Sequence, residues 1–423
     1  MSRAPIEMRL LPDTATVEPD GQLSIGGCRV NDLATEFGTP LFVYDEMHLR
    51  NRCREAVTEF GTGNVIYATK AFLCKAMARL AHEESLMLDV ATGGELYVAR
   101  SAGVPADRCV MHGNNKSEEE LRYAVSEGVR HIVVDNFDEI DRLDSILVDG
   151  SRARVQVRVT PGIHAHTHEF ISTGQDDSKF GFNLANGDAM RAIERCSAAS
   201  AIDLAGVHFH IGSNVLDADL LGRATRVMVE FFAPLGLPEL TVGGGLGVAY
   251  TSAEHAPTMG QWASVVRAAT SQLPGGVEVM VEPGRSIVAS AAVTVYRVGS
   301  LKNIPNVRDY VAVDGGMSDN LRPMLYGAEY EAFMPAHPTA VRDRPVRLVG
   351  KHCESGDVLI EAAHVPSELA VGDLLAVPVT GAYGYSMSSN YNMVTRPAVV
   401  FVADGAARVV RRRESYADLT VLD

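Results

Sequence analysis

Eight short β-branched runs, spaced along the first two thirds of the chain with helical patterns between them, constrain this sequence more than any other feature. They lie at 64–70, 87–92, 109–113, 131–136, 154–161, 204–212, 239–245 and 278–284. Apolar residues at helical spacing fill 72–84, 95–102, 117–127 and 138–147. Strands buried on both faces read as continuous apolar runs, and helices alternating with them imply a parallel sheet. Eight such units predict an α/β fold, a (β/α)8 barrel of the TIM type. An open doubly wound sheet is the rival, but it does not account for what stands at the ends of the runs.

Polar residues or glycines close nearly every run. Lys70, His112, Asn114, Asp135, Thr160, His210, Gly243, Gly244, Gly245 and Glu282 all fall there. In a barrel those ends converge on one mouth, where the chemistry of barrel enzymes sits. The plain alternative is that loops are polar anyway. After Arg285 the pattern changes to strands with little helix between them, which predicts a second, all-β domain over 286–423. Residues 1–45 also read as strand, turn, short helix and strand, and are expected to join it. The barrel then occupies 46–285. The stretch 160–182 is long for a loop between strand and helix, which points to a functional loop, with 164–178 within it expected to act as a lid.

Charge and cysteine usage narrow the function. The chain of 423 residues carries 38 Lys and Arg against 53 Asp and Glu, a net charge of −15. A phosphate backbone would be repelled, so nucleic-acid binding is disfavoured. No apolar stretch is long enough for a membrane span or a signal peptide. Six scattered cysteines form no CxxC pair, which favours free thiols and a reducing, cytoplasmic setting.

Several residues carry candidate chemistry, each with a blander reading beside it. Lys70 could form a covalent bond to an aldehyde, or be a surface lysine at a strand end. The glycines at 243–245 could let backbone N–H groups approach a phosphate, or simply make a tight turn. Glu282 could hold a pyridine nitrogen protonated with Arg285 clamping an anion beside it, or the two could form a structural ion pair. His208 with His210, and His164 with His166 and His168, invite a metal reading, but no Cys or Asp completes a ligand set, so no metal is expected. Cys353 is either a proton donor or a buried thiol.

Together these segments resemble the fold-type III pyridoxal-phosphate-dependent decarboxylases, with their alanine racemase-like barrel, nearest the branch acting on meso-2,6-diaminopimelate. The carriers are YATK at 67–70, HEFISTGQDDSKFG at 168–181, HFHIGS at 208–213, the glycines at 243–247 and EPGR at 282–285. Further along come DGGMSDNLRPMLY at 314–326, CESGD at 353–357 and GAYGYSMSSNYN at 381–392. The match spans nearly the whole chain. It implies pyridoxal 5'-phosphate as cofactor, an amino-acid substrate and carboxy-lyase activity: meso-diaminopimelate to L-lysine and CO2, a step of lysine synthesis. A decarboxylase of ornithine, arginine or a carrier-tethered amino acid is the alternative.

The resemblance also implies roles. Lys70 would hold the cofactor covalently, His210 would stack on its ring, and Glu282 would pair with the ring nitrogen. Ser213 with Gly243, Gly244 and Gly245 would bind its phosphate, with Gly284 and Arg285 on the same site. Asp89 and Glu95 match positions near the ring and Lys70. Arg285, Arg322, Tyr326 and Glu354 match substrate-binding positions, and Tyr383 a contact to cofactor and substrate. Cys353 matches the residue that returns a proton to Cα. In this family Cys353 and Glu354 come from the neighbouring subunit, so a homodimer with shared sites is implied. The chemistry is coherent: a protonated pyridine ring absorbs the electrons left at Cα, and a thiol, mostly protonated at neutral pH, can deliver the proton. A catalytically inactive binding protein and a metal-dependent barrel hydrolase are the remaining classes.

Overall fold

The computed structural model describes residues 3–147, 150–163 and 177–423. The histidines at 164, 166 and 168, and most of the long loop read as a lid, lie outside the described residues. The chain divides into two compact units, one of Cys53–Val248 and Ala256–Ser286, the other of Met1–Arg52, Ala249–His255 and Ile287–Asp423.

The first of these units is an eight-stranded parallel barrel. Its strands, in order, are Ile66–Ala68, Met87–Val90, Cys109–Met111, His131–Val134, Ala153–Thr160, Ile202–Phe209, Glu239–Val242 and Glu278–Val281. Each pairs in parallel with the next. A parallel bridge from Val65 to Val281 joins the last strand to the first. Ile66, Met87, Val110, Val133 and Met280 pack together as a fully buried cluster. The β-branched runs of the sequence are therefore these strands, apolar because both faces are covered.

Several of the loops leaving the strands end on a residue that caps the next helix, which fixes where the strand-end residues stop and the helix begins. Thr92 accepts from Glu95 N–H ahead of Gly93–Ser101, and Asn136 from Glu139 N–H ahead of Phe137–Ile146. Ser117 and Thr258 form complete capping boxes with Glu120 and Gln261. These side chains satisfy donors that the first helical turn leaves open. The helix expected at 72–84 is shorter, Lys75–Glu83, because Cys74 is extended and its thiol accepts from Met77 N–H.

The other unit is mostly sheet. Its spine is the 13-residue strand Ala292–Ile304. Leu41–Asp45 pairs with it antiparallel, and Leu374–Pro378 and Arg308–Val313 also pair with it. Leu41–Asp45 is itself paired in parallel with Ala398–Ala403, so this fully buried strand is flanked on both sides. Among the described residues no helix is long and apolar enough to cross a membrane.

Candidate active site

The C-terminal ends of the barrel strands bring a buried ionic cluster together. Glu282, just past the eighth strand, is 5% exposed. His208, in the sixth strand, donates from Nε2 to Glu282 Oε2 at 2.9 Å, which assigns that proton to Nε2. His112, past the third strand, approaches Glu282 Oε1 with its Nε2 at 3.0 Å and Asp89 Oδ1 at 3.9 Å. The two imidazoles meet edge to face, 4.9 Å between centroids. The His112 approach is an ion pair, and among the described residues the buried Glu282 Oε1 has no further partner.

The electrostatics follow from burial and neighbours. Burial pushes the Glu282 carboxyl up, but His208 and His112 outweigh it and hold the group well below the carboxylate range. Burial lowers His112, yet the charges of Asp89 and Glu282 outweigh it and raise its pKa above the usual 6.5. His208 is lowered, chiefly by burial. His210 is held well below 6.5 by burial and then by the positive charges of Lys70 and Arg158, so its ring is neutral at physiological pH.

Lys70 stands at the mouth, in the single turn Thr69–Ala71 that follows the first strand. Thr69 Oγ1 donates to the Asp89 carbonyl at 2.6 Å and so ties this turn to the second strand. Glu95 lies within electrostatic reach of Lys70, and burial raises its carboxyl pKa even though its Oε2 accepts from Ala91 N–H at 2.6 Å. On the other side of the mouth, Arg285 donates to Ser213 Oγ at 2.7 Å. The glycines there are required by contact: a Cβ on Gly243 would lie 2.5 Å from the Phe209 carbonyl oxygen, and one on Gly244 2.2 Å from that of Glu282. A Cβ on Gly284 would lie 2.8 Å from Ala68 Cβ. Side chains would force these strand ends apart.

Two groups that the sequence did not single out as site residues support the cluster. Arg158, a buried cation in the fifth strand, is 9% exposed, stacks over Phe180 at 4.5 Å and lies 3.6 Å from Asp135. Its signal was a charge within a run otherwise read as buried. Lys116, 1% exposed, donates to the carbonyls of Gly113 and Val133 and to Glu139 Oε1 at 2.6 Å. Glu139 Oε2 accepts in turn from Asp135 N–H at 3.1 Å, so this buried pair pins the loops that carry His112 and Asp135.

The remaining candidates belong to the other unit. Arg322, 5% exposed, donates to Tyr330 Oη and stacks over Tyr250 at 4.2 Å. Tyr250, Tyr330 and Tyr383 raise its pKa against the lowering effect of burial. Tyr383 sits at φ +60°, in the left-handed region. Tyr326 ends the short helix Arg322–Tyr326 and is half-buried. Cys353 and Glu354 are exposed on one loop.

The donor set fits a particular ligand chemistry. His112, His208 and Glu282 place ligand atoms within 4.8 Å of one another, a spacing a divalent cation accepts. Ligation needs unprotonated imidazole nitrogens, whereas His208 Nε2 carries its proton toward Glu282 and His112 holds a raised pKa. An ionised buried carboxylate with one unfilled oxygen instead suits an aromatic ring N–H. An amine at Lys70 suits an aldehyde, and Ser213, Arg285 and the glycine turn suit a phosphate. Pyridoxal 5'-phosphate carries all three groups.

Comparison with known proteins agrees. The model of the pyridoxal binding domain of pyridoxal-dependent decarboxylases matches residues 46–289. The diaminopimelate decarboxylase of Mycobacterium tuberculosis is 46% identical over 433 residues, covering 97% of this chain and 97% of its own. That of Bacillus subtilis is 45% identical over 433 residues, covering 98% of each. The crystal structure of diaminopimelate decarboxylase from M. jannaschii in co-complex with L-lysine superposes with a TM-score of 0.89 at 32% identity, over 97% of this chain and 98% of that one.

Proposed function

This chain belongs to the diaminopimelate decarboxylases, within the pyridoxal-dependent decarboxylases, and from that membership we propose that it converts meso-2,6-diaminopimelate to L-lysine and CO2. The observation that carries the chemistry is Glu282: a buried carboxylate kept ionised by His208 and His112, with one oxygen outside any hydrogen bond among the described residues. Held at this site, pyridoxal 5'-phosphate would supply the electron sink for the pair released when the bond from Cα to the carboxylate breaks.

The residues divide the work. Lys70 would hold the cofactor through its aldehyde carbon, the aldehyde oxygen leaving as water, and Glu282 would keep a proton on the ring nitrogen. His210, neutral, stacks on the ring, with Asp89 and Glu95 beside the Lys70 amine. Ser213, Gly243, Gly244, Gly245, Gly284 and Arg285 take the phosphate end. Arg322, Tyr326, Glu354 and Tyr383 grip the distal ammonium and carboxylate, with Arg285 near the reacting end. Arg322 suits this because Tyr250 and Tyr330 hold its planar fork in place. The Cys353 thiol gives its proton to Cα after CO2 leaves. Exposure of Cys353 and Glu354 on one loop supports a homodimer in which each copy lends this loop to the other. We place the enzyme in the cytoplasm, in lysine biosynthesis, with residues 46–285 as the cofactor domain and 286–423, joined by 1–45, as the β domain.

The test is CO2 release from meso-diaminopimelate with added cofactor, run beside L-ornithine, L-arginine and L-lysine. Release from meso-diaminopimelate alone is expected; release from one of the others in its place refutes the substrate. Cys353→Ala should slow turnover by about 10²- to 10⁴-fold with the cofactor still bound. Full activity in that variant removes the proton-donor role.

A further inference from the structure

The loop that presents Cys353 is held from outside by a residue with an unusual backbone. Asn392 adopts φ 52° and ψ 25°, and Met393 beside it also has a positive φ of 57°. Two consecutive left-handed residues without glycine are disfavoured, and Asn is among the few side chains that tolerate the conformation. Asn392 is exposed, so packing does not demand it. What it does is accept, at its side-chain oxygen Oδ1, the backbone N–H of Cys353 at 3.1 Å.

The contacts around that oxygen fix its orientation. His352 Nδ1 lies 3.3 Å from the same Oδ1, and His352 Nε2 lies 2.8 Å from Ser318 Oγ. With Oδ1 as the shared acceptor, the Nδ1 proton points to Asn392, and Nε2 accepts from the Ser318 hydroxyl. Rotating the amide would set its NH2 against the Cys353 N–H and the His352 N–H, donor against donor. The Tyr391 ring covers His352, 5.5 Å between centroids.

Both ends of the arrangement are braced. Asp357 accepts from Met317 N–H at 2.7 Å and from His352 N–H at 2.8 Å, which fixes the base of the Cys353 loop. Asn390 donates to Glu414 at 2.6 Å, and Arg396 N–H donates to the same carboxylate at 2.8 Å, which fixes the turn carrying Asn392. The Ser389 N–H to Ser318 carbonyl bond of 2.9 Å ties the two loops together. The contact at Asn392 therefore joins two rigid supports at the residue that bears the thiol.

We propose that Asn392 is a positioning residue for Cys353: its side-chain carbonyl fixes the backbone of the cysteine, and the Ser318–His352 pair keeps that carbonyl aimed. The proposal rests on the reading of Cys353 as the group that protonates Cα, and it assigns the left-handed turn at the end of the 381–392 run a role in proton delivery. A loosened thiol samples orientations that do not reach the reacting carbon, so chemistry slows while substrate binding does not.

Asn392→Gly is the informative variant, because glycine keeps the left-handed backbone while deleting the acceptor. Expected is a fall in kcat on the order of 10-fold to 100-fold with KM within about twofold. Asn392→Asp, which keeps an acceptor, should recover most of the loss. The same substitution in a Cys353→Ala background should cost nothing further. An unchanged kcat, or an equal loss in both backgrounds, overturns the proposal. Alkylation of Cys353 by iodoacetamide, followed by mass spectrometry on the assembled enzyme, gives a readout apart from turnover. It should be faster in Asn392→Gly, and an unchanged rate counts against the proposal. If Cys353→Ala proves fully active, the proton-donor reading fails, and the alkylation rates alone decide whether Asn392 positions the thiol. If Asn392→Gly does not fold, Ser318→Ala substitutes, with a smaller kcat loss of the same kind expected and no loss overturning the idea.

Discussion

His208 Nε2 donates to Glu282 Oε2 at 2.9 Å, so one carboxylate oxygen is anchored by a hydrogen bond while the other has only the charge of His112 Nε2, 3.0 Å away. Glu282→Gln keeps the shape but cannot hold a proton on the cofactor's ring nitrogen by charge. We expect kcat to fall by about 10²-fold or more while the bound cofactor's absorbance survives. Activity within a few-fold of wild type would remove Glu282 from the mechanism.

Lys70→Ala should lose the covalent attachment altogether. The long-wavelength absorbance of the bound cofactor should vanish, and turnover should drop by at least about 10³-fold, the scale on which deleting one member of a catalytic unit acts. Absorbance that persists through dialysis would show the amine lies elsewhere.

Lys116 and Glu139 form a buried pair beneath the mouth. Lys116→Met strands the carboxylate and should cost about 3–5 kcal/mol of stability, read from the denaturant midpoint. Adding Glu139→Leu removes the stranded charge and should recover most of it. A single variant as stable as wild type would mean the pair is not what pins these loops.

Asp319 predicts a pH effect. Burial pushes its carboxyl from 3.8 up to about 7, although Tyr296 Oη and Gly316 N–H both donate to it. The folded state therefore binds a proton that the unfolded chain releases. Its contribution to stability is full below the unfolded value of 3.8 and is lost as pH rises to about 7. Asp319→Asn donates to Tyr296 and accepts from Gly316 without the charge. Its Tm advantage over wild type should grow between pH 4 and pH 7 and then level off, by on the order of 2–4 °C. A pH-independent gap would contradict the assignment.

The barrel was legible because a strand covered on both faces must be written in apolar residues, and because chemistry gathers where such strands end. Lys70 and Glu282 could be picked out as polar residues closing apolar runs. His208 could not be placed the same way: on the page it formed a pair with His210, and only the closed barrel turns it onto Glu282 and sets His112 against it. Arg158 was hidden by register. Its partner Asp135 follows the neighbouring strand, and nothing in a linear reading aligns Val134 with Val157. Asn392 and Cys353 are separated by two strands, Val358–Val365 and Leu374–Pro378, that pair with other strands and not with each other, so their contact leaves no local pattern at all.

The strand Leu41–Asp45 has a consequence for biosynthesis. It leaves the ribosome well before both of its neighbours, Ala292–Ile304 and Ala398–Ala403. At about 5–20 residues per second, the wait for that second neighbour is roughly 20–70 s. During that interval an apolar strand stands with an open edge, the form most prone to pairing with another chain. Shortening the chain before Ala398 would make that open edge permanent, so a strand made much later protects one made much earlier.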